Sequence, residues 1–388
     1  MTCWAILQRM REAGHRVTVV ALRYPGDVFA SPEREEIVRS AGADLAVLET
    51  GPPEGAGSNG KGGLGRWLSP DPLKEFPTGE LAPRMRSVIE TIRPDAMFVY
   101  HWDTLAATHG LRVAPRMAGV GDPWHLPTLQ RWRHAPMRLS PEYLRWTLGV
   151  ARFQARETRW LQQRGGTACA YFRSPITDSA GPEWQRRRSE AKKRGKPVIL
   201  LGPSNLEGTS TSAGLRLFAD EILPRVEAEL GREGFLVRIV GEGSPPKELA
   251  RILPRPSVEL LGRIEPADQE FIGADVHLVP TPFVLGIRLR IVTGMSFGCC
   301  IVAHQNEAAN LPELVDGENS LLGRDGTGLA KAIVKAVRDR ELREHLGRNA
   351  RRTYERFFSP EAAASPIVEE LENLVRSRGP RPPGKAPE

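Results

Sequence analysis

A chain of 388 residues is longer than one hydrophobic core usually supports, so two domains are expected. Its hydrophobic content of 40% suits a soluble globular protein, no apolar run nears the roughly 20 residues of a membrane span, and residues 1–17 pattern as an amphipathic helix rather than a signal peptide; the expectation is a cytoplasmic protein. The formal net charge of +7 favours anionic partners, and the four cysteines, Cys3, Cys169, Cys299 and Cys300, have neither disulfide-framework nor zinc spacing, so they are expected to be reduced and mostly buried.

In chain order, a helix over 2–13 stops at Gly14, and "HRVTVVAL" (15–22) is a buried strand. "EREEIVRSAG" (33–42) reads as a helix, "DLAVLE" (44–49) as a strand, and "LAPRMRSVIETIRP" (81–94) as a helix leading into the strand "DAMFVYH" (95–101). Residues 50–72 between them are rich in glycine and proline and are expected to form a mobile loop. "GLRVAPRMAGVG" (110–121) adds another helix-to-strand step. Then come basic helices across 129–164 and 183–194, with Trp132, Trp146, Trp160 and Trp184 interleaved. Two roles are open for this segment: a solvated basic surface with its tryptophans in the core, or peripheral docking on an anionic membrane. Nucleic-acid binding is not expected, because no recognition motif accompanies the charge.

After "AKKRGKP" (191–197), the expected interdomain linker, the alternation restarts. "VILLG" (198–202) is a strand and "GLRLFADEILPRVEAEL" (214–230) an amphipathic helix. "FLVRIVGEG" (235–243), the helix "PPKELARIL" (245–253), "SVELLGRI" (257–264), the helix "ADQEFIGA" (267–274) and "DVHLVPT" (275–281) follow. Strand "CIVAHQ" (300–305), "LPELVDGENSLLG" (311–323) and a helix over 327–338 close the pattern. Short buried strands alternating with helices imply parallel sheets in both halves. The expected architecture is α/β: two Rossmann-like parallel-sheet domains facing each other across a cleft. They span 1–195 and 196–360, with a C-terminal helix at 361–376 and a disordered, proline-rich tail at 377–388. A Rossmann-like half normally opens with a buried strand and a glycine-rich turn, yet this chain starts inside the following helix. The first strand is therefore expected to be missing or truncated away.

The stretch "GIRLRIVTGMSFG" (286–298) carries the most chemistry. Ligands of open parallel sheets bind beyond the carboxyl ends of the strands, where a helix N-terminus offers unpaired N–H groups and the positive end of its dipole. Gly286 lets the backbone approach closely, and Arg288 and Arg290 supply cations suited to phosphate oxygens, so a diphosphate is the natural guest. The bland alternative is a glycine turn flanked by solvated arginines.

In order and spacing, "RIVGEGSPPKEL", "VELLGRI", "ADVHLVPTPFVLGIRLRIVTGMSFGCCIVA" and "LPELVDGENSLL" resemble the C-terminal half of GT-B glycosyltransferases, particularly the large retaining family 4. The resemblance covers about residues 197–360 well and is looser over 1–130, where it rests on "REAGHRVTVV" and "PDAMFVYHWDT". It implies a nucleotide-sugar donor held by the second half. Gly241, Glu242 and Gly243 match the turn after that half's second strand, Gly262, Arg263 and Ile264 the segment that meets the base, and Gly286, Ile287 and Arg288 the loop over the diphosphate. Tight turns for the glycines and an exposed loop charge for Arg263 remain alternatives.

The sequence departs from the family at three places. Thr293 stands where a ribose-binding glutamate is usual; "GPSNLEGTST" (202–211) offers Pro203, Ser204 and Asn205 where an arginine and a lysine are usual; and "PFVLGI" (282–287) has no acidic residue. A threonine gives one hydroxyl hydrogen bond, not a carboxylate's charge-assisted pair, so the expectation is either a weaker donor affinity or a phosphate role taken over by Arg288 and Arg290. Such catalysis works by positioning and charge, with Arg288 or Arg290 stabilising the leaving diphosphate and no metal or other cofactor expected. On the acceptor side, His101, Asp103, Asp122 and His125 are candidates for orientation or acid–base work, with turn or cap roles as the alternative. The resemblance thus implies a glycosyltransferase moving a sugar from a nucleotide sugar to a glycan, a lipid-linked precursor or a small molecule. A degenerate GT-B partner of an active transferase is the second reading, and a nucleotide-sugar epimerase of the same fold the third.

Overall fold

The computed structural model describes residues 2–23, 31–50, 81–108, 111, 113–119, 171–191, 195–284 and 286–378. The chain divides into two units, Met1–Pro175 with Ala363–Glu388, and Ile176–Ala362.

In the first unit, α1 (Thr2–Glu12) gives way at Gly14, whose φ of 85° ends the helix, and the chain enters β1 (Thr18–Arg23). Helix α2 (Pro32–Ser40) starts where the sequence dictates: the Ser31 hydroxyl accepts from the Arg34 N–H, and Pro32 takes a first-turn position that needs no donor. It leads to β2 (Asp44–Glu49), which pairs in parallel with β1. Then come α3 (Leu81–Ile92), β3 (Met97–Tyr100), α4 (Trp102–Ala107) and β4 (Arg116–Gly119), with β3 and β4 parallel. Leu48, Met85, Ile89, Met97, Val99 and Leu105 form the core beneath these elements.

The second unit opens with α5 (Trp184–Ala191) and β5 (Val198–Asn205). The expected helix over 214–230 is three pieces: α6 (Thr209–Leu217), a π turn (Phe218–Ile222) and α7 (Leu223–Leu230). Pro224 has no N–H to continue the ladder, and a wider turn just ahead of it accommodates the lost bond. After β6 (Leu236–Glu242) the helix expected over 245–253 shrinks to α8 (Lys247–Ala250), followed by turns. Next come β7 (Val258–Gly262), α9 (Asp268–Gly273), β8 (Val276–Val279), α10 (Leu289–Ser296) and β9 (Cys300–His304). A 3₁₀ turn (Gln305–Ala309), β10 (Ser320–Gly323), α11 (Gly326–Arg338) and α12 (Arg340–Phe357) complete the unit. The last helix, α13 (Pro360–Arg378), puts Ala364, Ile367 and Leu371 against Ala5 and Ile6 of α1.

Strand order in the second unit is β10-β9-β8-β5-β6-β7, every pair parallel. The chain thus lays its first strand in the middle, builds outward on one side through β7, then returns to build the other side from β8. Side chains alternate between faces. Ile199 and Leu201 join a core with Phe218, Ile222 and Ile333, while Leu200 joins Phe271, Ile291, Met295 and Tyr354 on the opposite face. Near-continuous apolar strands such as 198–201 are what a sheet covered on both faces requires. The expectation of parallel sheets in both halves holds for every described strand pair. Among the described residues no helix is long and apolar enough to cross a membrane. Cys299 and Cys300 are buried and Cys3 is exposed, all three as free thiols, while Cys169 lies outside the described residues.

Candidate functional site

The order of strands creates one special place in the second unit. Between β5 and β8 the connections leave in opposite directions, so the loops at their carboxyl ends part and open a crevice. It is lined by Gly202, Ser204, Thr211, Pro280, Thr281 and Arg290. Gly202 has a φ of 108°, and a Cβ there would lie 2.0 Å from the Val240 carbonyl oxygen, so only glycine fits. Its own carbonyl is held by His277, whose Nε2 lies 3.1 Å away. Burial and the neighbouring Arg290 push this histidine down to about 3, so the ring is neutral and Nε2 donates.

Beyond β8 the chain passes Thr281 and reaches α10, whose cap residue is Arg288. Arg288 is mostly buried, its side chain 17% exposed, and its Nε stands 3.5 Å from Oε1 of Glu307. That is an ion-pair distance too long for a good hydrogen bond. Arg290 donates from Nη2 to the Thr281 hydroxyl at 3.2 Å. Nε and Nη2 of Arg288 and Nε of Arg290 are buried without hydrogen-bond partners. Burial and the adjacent Arg288 lower Arg290 to about 10, which leaves it a cation at neutral pH. Glu307 comes from the 3₁₀ turn after β9, is 2% exposed, and burial pushes its carboxyl up to about 7 against the pull of both arginines. Asn306 pins this turn by donating to the Pro282 carbonyl at 2.8 Å. The carboxyl ends of β8 and β9 therefore present two cations, one hydroxyl and one buried carboxyl around a shared point, with guanidinium donors unspent. Unspent, pre-ordered guanidinium donors at a helix N-terminus suit an oxyanion with several acceptor oxygens.

The other expected residues fall around this centre unequally. Glu242 and Arg263 do meet: Arg263 bridges Glu242 at 3.1 Å and Glu265 at 2.7 Å, in full solvent at the ends of β6 and β7. Gly241 pairs with Ser204 across β5 and β6, where a Cβ would strike the Ser204 carbonyl at 2.3 Å, and Gly243 and Gly262 take positive φ at the strand ends. Gly286 lies in the bend before Arg288, and Ile287 and Ile264 pack against the apolar cluster of Phe271 and Ile291. Thr293 donates back to the Leu289 carbonyl at 3.1 Å, one turn earlier, so its hydroxyl is engaged within the helix.

In the first unit His101 is exposed at the carboxyl end of β3 with a φ of 74°, its ring edge-on to Tyr100 at 4.2 Å. His is among the few residues that tolerate this backbone region, and the His101 carbonyl accepts the Leu105 N–H that starts α4. Asp103 lies within α4, and Asp122 and His125, like most of the basic segment, fall outside the described residues.

Sequence reasoning missed Glu307, Thr281 and His277. Thr281 and Glu307 do sit at the carboxyl ends of the buried strands "DVHLVPT" and "CIVAH", the one positional signal that could have raised them. His277, inside an apolar strand, gave no signal beyond being polar where everything else is not.

Residues 197–339 match the sequence model of a family described as glycosyl transferases group 1. No curated protein matches the chain. Among solved structures, the chain is similar to HepE of Anabaena, crystallised in complex with UDP, at 17% identity and a TM-score of 0.59, covering 95% of each chain. Sucrose-phosphate synthase of Thermosynechococcus elongatus is similar at 15% identity and a TM-score of 0.59, over 93% of this chain and 100% of that one. A glycosyltransferase of Rickettsia africae is similar at 11% identity and a TM-score of 0.59, over 96% and 94%. At these identities the likeness establishes the fold, and that fold is GT-B.

Proposed function

From a chain of GT-B fold whose residues 197–339 form a glycosyl transferases group 1 domain, we propose a glycosyltransferase that takes a sugar from a nucleotide-sugar donor and passes it, with retention, to an acceptor. The observation that carries this reading is the pair Arg288 and Arg290, buried at the start of α10 with guanidinium N–H groups still unspent, beside the switch-point crevice. A donor diphosphate in that position accepts from Arg288 and from the N–H groups at the head of α10, while Arg290, held by Thr281, supplies charge from beneath. As the sugar leaves, negative charge grows on the diphosphate oxygens, and these fixed cations stabilise it without reorganisation. Glu242 and Arg263, paired at the neighbouring strand ends, are assigned to the nucleoside side of the donor. His101, Asp103, Asp122 and His125 are assigned to the acceptor. Gly241, Gly262 and Gly286 serve by letting backbone come close. The neighbour crystallised with UDP supports a uridine nucleotide as the first donor to test. A cytoplasmic setting, with the basic segment resting on an anionic membrane, completes the reading.

A second reading rests on a specific observation: Glu307 partly neutralises the two arginines, Thr293 spends its hydroxyl inside α10, and no basic residue follows β5. These features also fit a GT-B chain that binds without turnover and supports an active transferase. Incubation with UDP-glucose and other nucleotide sugars, alone and with sugar or lipid-linked acceptors, separates the two. The transferase reading predicts acceptor-dependent release of nucleoside diphosphate; none with any donor, from folded protein, would favour the partner reading.

A further inference from the structure

Glu307 is a buried carboxyl at the site that the donor reading does not use. It sits on the 3₁₀ turn after β9 at 2% exposure and stands 3.5 Å from Arg288 Nε, facing the same arginines that the diphosphate needs. An ionised carboxylate here and a diphosphate compete for the same cations. Among the described residues, the other charged or titratable groups around it are accounted for. Arg288 and Arg290 approach from α10 and its cap, and the Thr281 hydroxyl comes from the end of β8. His277, behind Arg290 on β8, is held neutral by burial, and His304 at the end of β9 is also lowered by burial while its Nδ1 accepts the Asn306 N–H. Neither histidine offers the carboxylate a further cation.

We propose that Glu307 is a built-in counter-anion that balances the charge of Arg288 and Arg290 while the site is empty and takes up a proton from solvent when a nucleotide sugar binds, leaving both cations to the diphosphate. The inference rests on the donor reading above. It makes Glu307 a positioning residue that acts through the arginines rather than on the sugar. Its carboxyl, raised to about 7 by burial, is within reach of protonation at neutral pH, and two incoming phosphate charges raise it further. Donor binding then consumes a proton, and affinity weakens by up to about tenfold per pH unit above pH 7.

The test is calorimetric titration of the whole protein with UDP-glucose, whose diphosphate has no group titrating between pH 6 and 9, in two buffers of different ionisation enthalpy. Wild type is expected to take up roughly half to one proton per bound molecule at pH 7.5. Glu307→Gln should bind without proton uptake, independently of pH, and about tenfold more tightly than wild type at pH 8. Wild-type binding with no proton uptake and no pH dependence overturns the role of Glu307 and leaves the donor site standing, a result that does not depend on whether the variant folds. Binding by neither protein, with UDP-glucose or with the guanosine and adenosine diphosphate sugars, overturns the donor reading and this inference with it.

Discussion

At the scale of the residue, the site is a problem of charge in a low-dielectric place. Glu307 is buried, and its carboxyl rises from 4.5 to about 7 because desolvation outweighs the attraction of Arg288 and Arg290. The consequence for stability has a definite sign. A carboxyl whose folded value is raised contributes its full stability below about pH 4.5, and that contribution is lost as pH rises through about 7. The span of the shift corresponds to about 3 kcal/mol as an upper bound. Relative to Glu307→Gln, wild-type protein should therefore lose stability steadily from pH 5 to pH 8, read as a divergence of the urea midpoints. Two midpoint curves running parallel across that range would mean that Glu307 is ionised throughout. Arg290 belongs to the same balance: lowered to about 10, it stays a cation and keeps a fixed charge beneath the crevice at every pH the cell offers.

At the scale of the element, the crevice exists because β5 breaks register at Gly202, where its pairing with β8 has ended at Leu201 and its pairing with β6 resumes only at Ser204. Gly202 turns the chain with a φ of 108°, its carbonyl is tied to His277, and its missing side chain lets the Val240 carbonyl pass at a distance no Cβ permits. Gly202→Ala should cost on the order of 3 kcal/mol in urea denaturation, through left-handed strain and the clash together. A cost below about 0.5 kcal/mol would show that the register break relaxes freely and does not shape the site. The strands and helices that build this place were largely legible in sequence. Runs such as 198–201 and 300–303 are apolar throughout, the mark of strands buried on both faces, and Gly286 with Arg288 and Arg290 marked the head of α10. Two elements depart in detail from their sequence reading, for identifiable reasons. Pro224 breaks the 3.6-residue ladder without breaking the apolar pattern, so the π turn was invisible to periodicity, and the run 245–253 has helical spacing but only four residues that keep it. The 3₁₀ turn carrying Glu307 has no periodicity of its own. A side chain becomes buried there only because β9 lies beside β8, a fact of topology that a local pattern does not contain.

At the scale of the whole molecule, the chain is two units with separate cores, and the second unit contains residues 197–339, the stretch that matches the glycosyl transferases group 1 model. That unit is anchored at its start as well as its centre. Asp178 holds Arg351 of α12 through two charge-assisted hydrogen bonds of 2.8 and 2.6 Å, and Arg188 of α5 donates to the Phe271 and Ala274 carbonyls from a buried position. The strand order with β5 central places the switch point beside α10, so the fold brings Arg290 to the crevice lining and Arg288 to the head of that helix.

In the proposed function, Arg288 and Arg290 hold a donor diphosphate. The most direct measurement is calorimetric titration of wild-type protein and Arg288→Ala with UDP, GDP, ADP and TDP at pH 6.5. Wild type should bind one nucleotide saturably at or below roughly 0.1 mM, weakened about 10- to 100-fold in Arg288→Ala, as expected for the loss of about 1.5–3 kcal/mol of charge-assisted bonding. Equal affinity in the two proteins, or no binding of any of the four by folded wild type, would contradict that function.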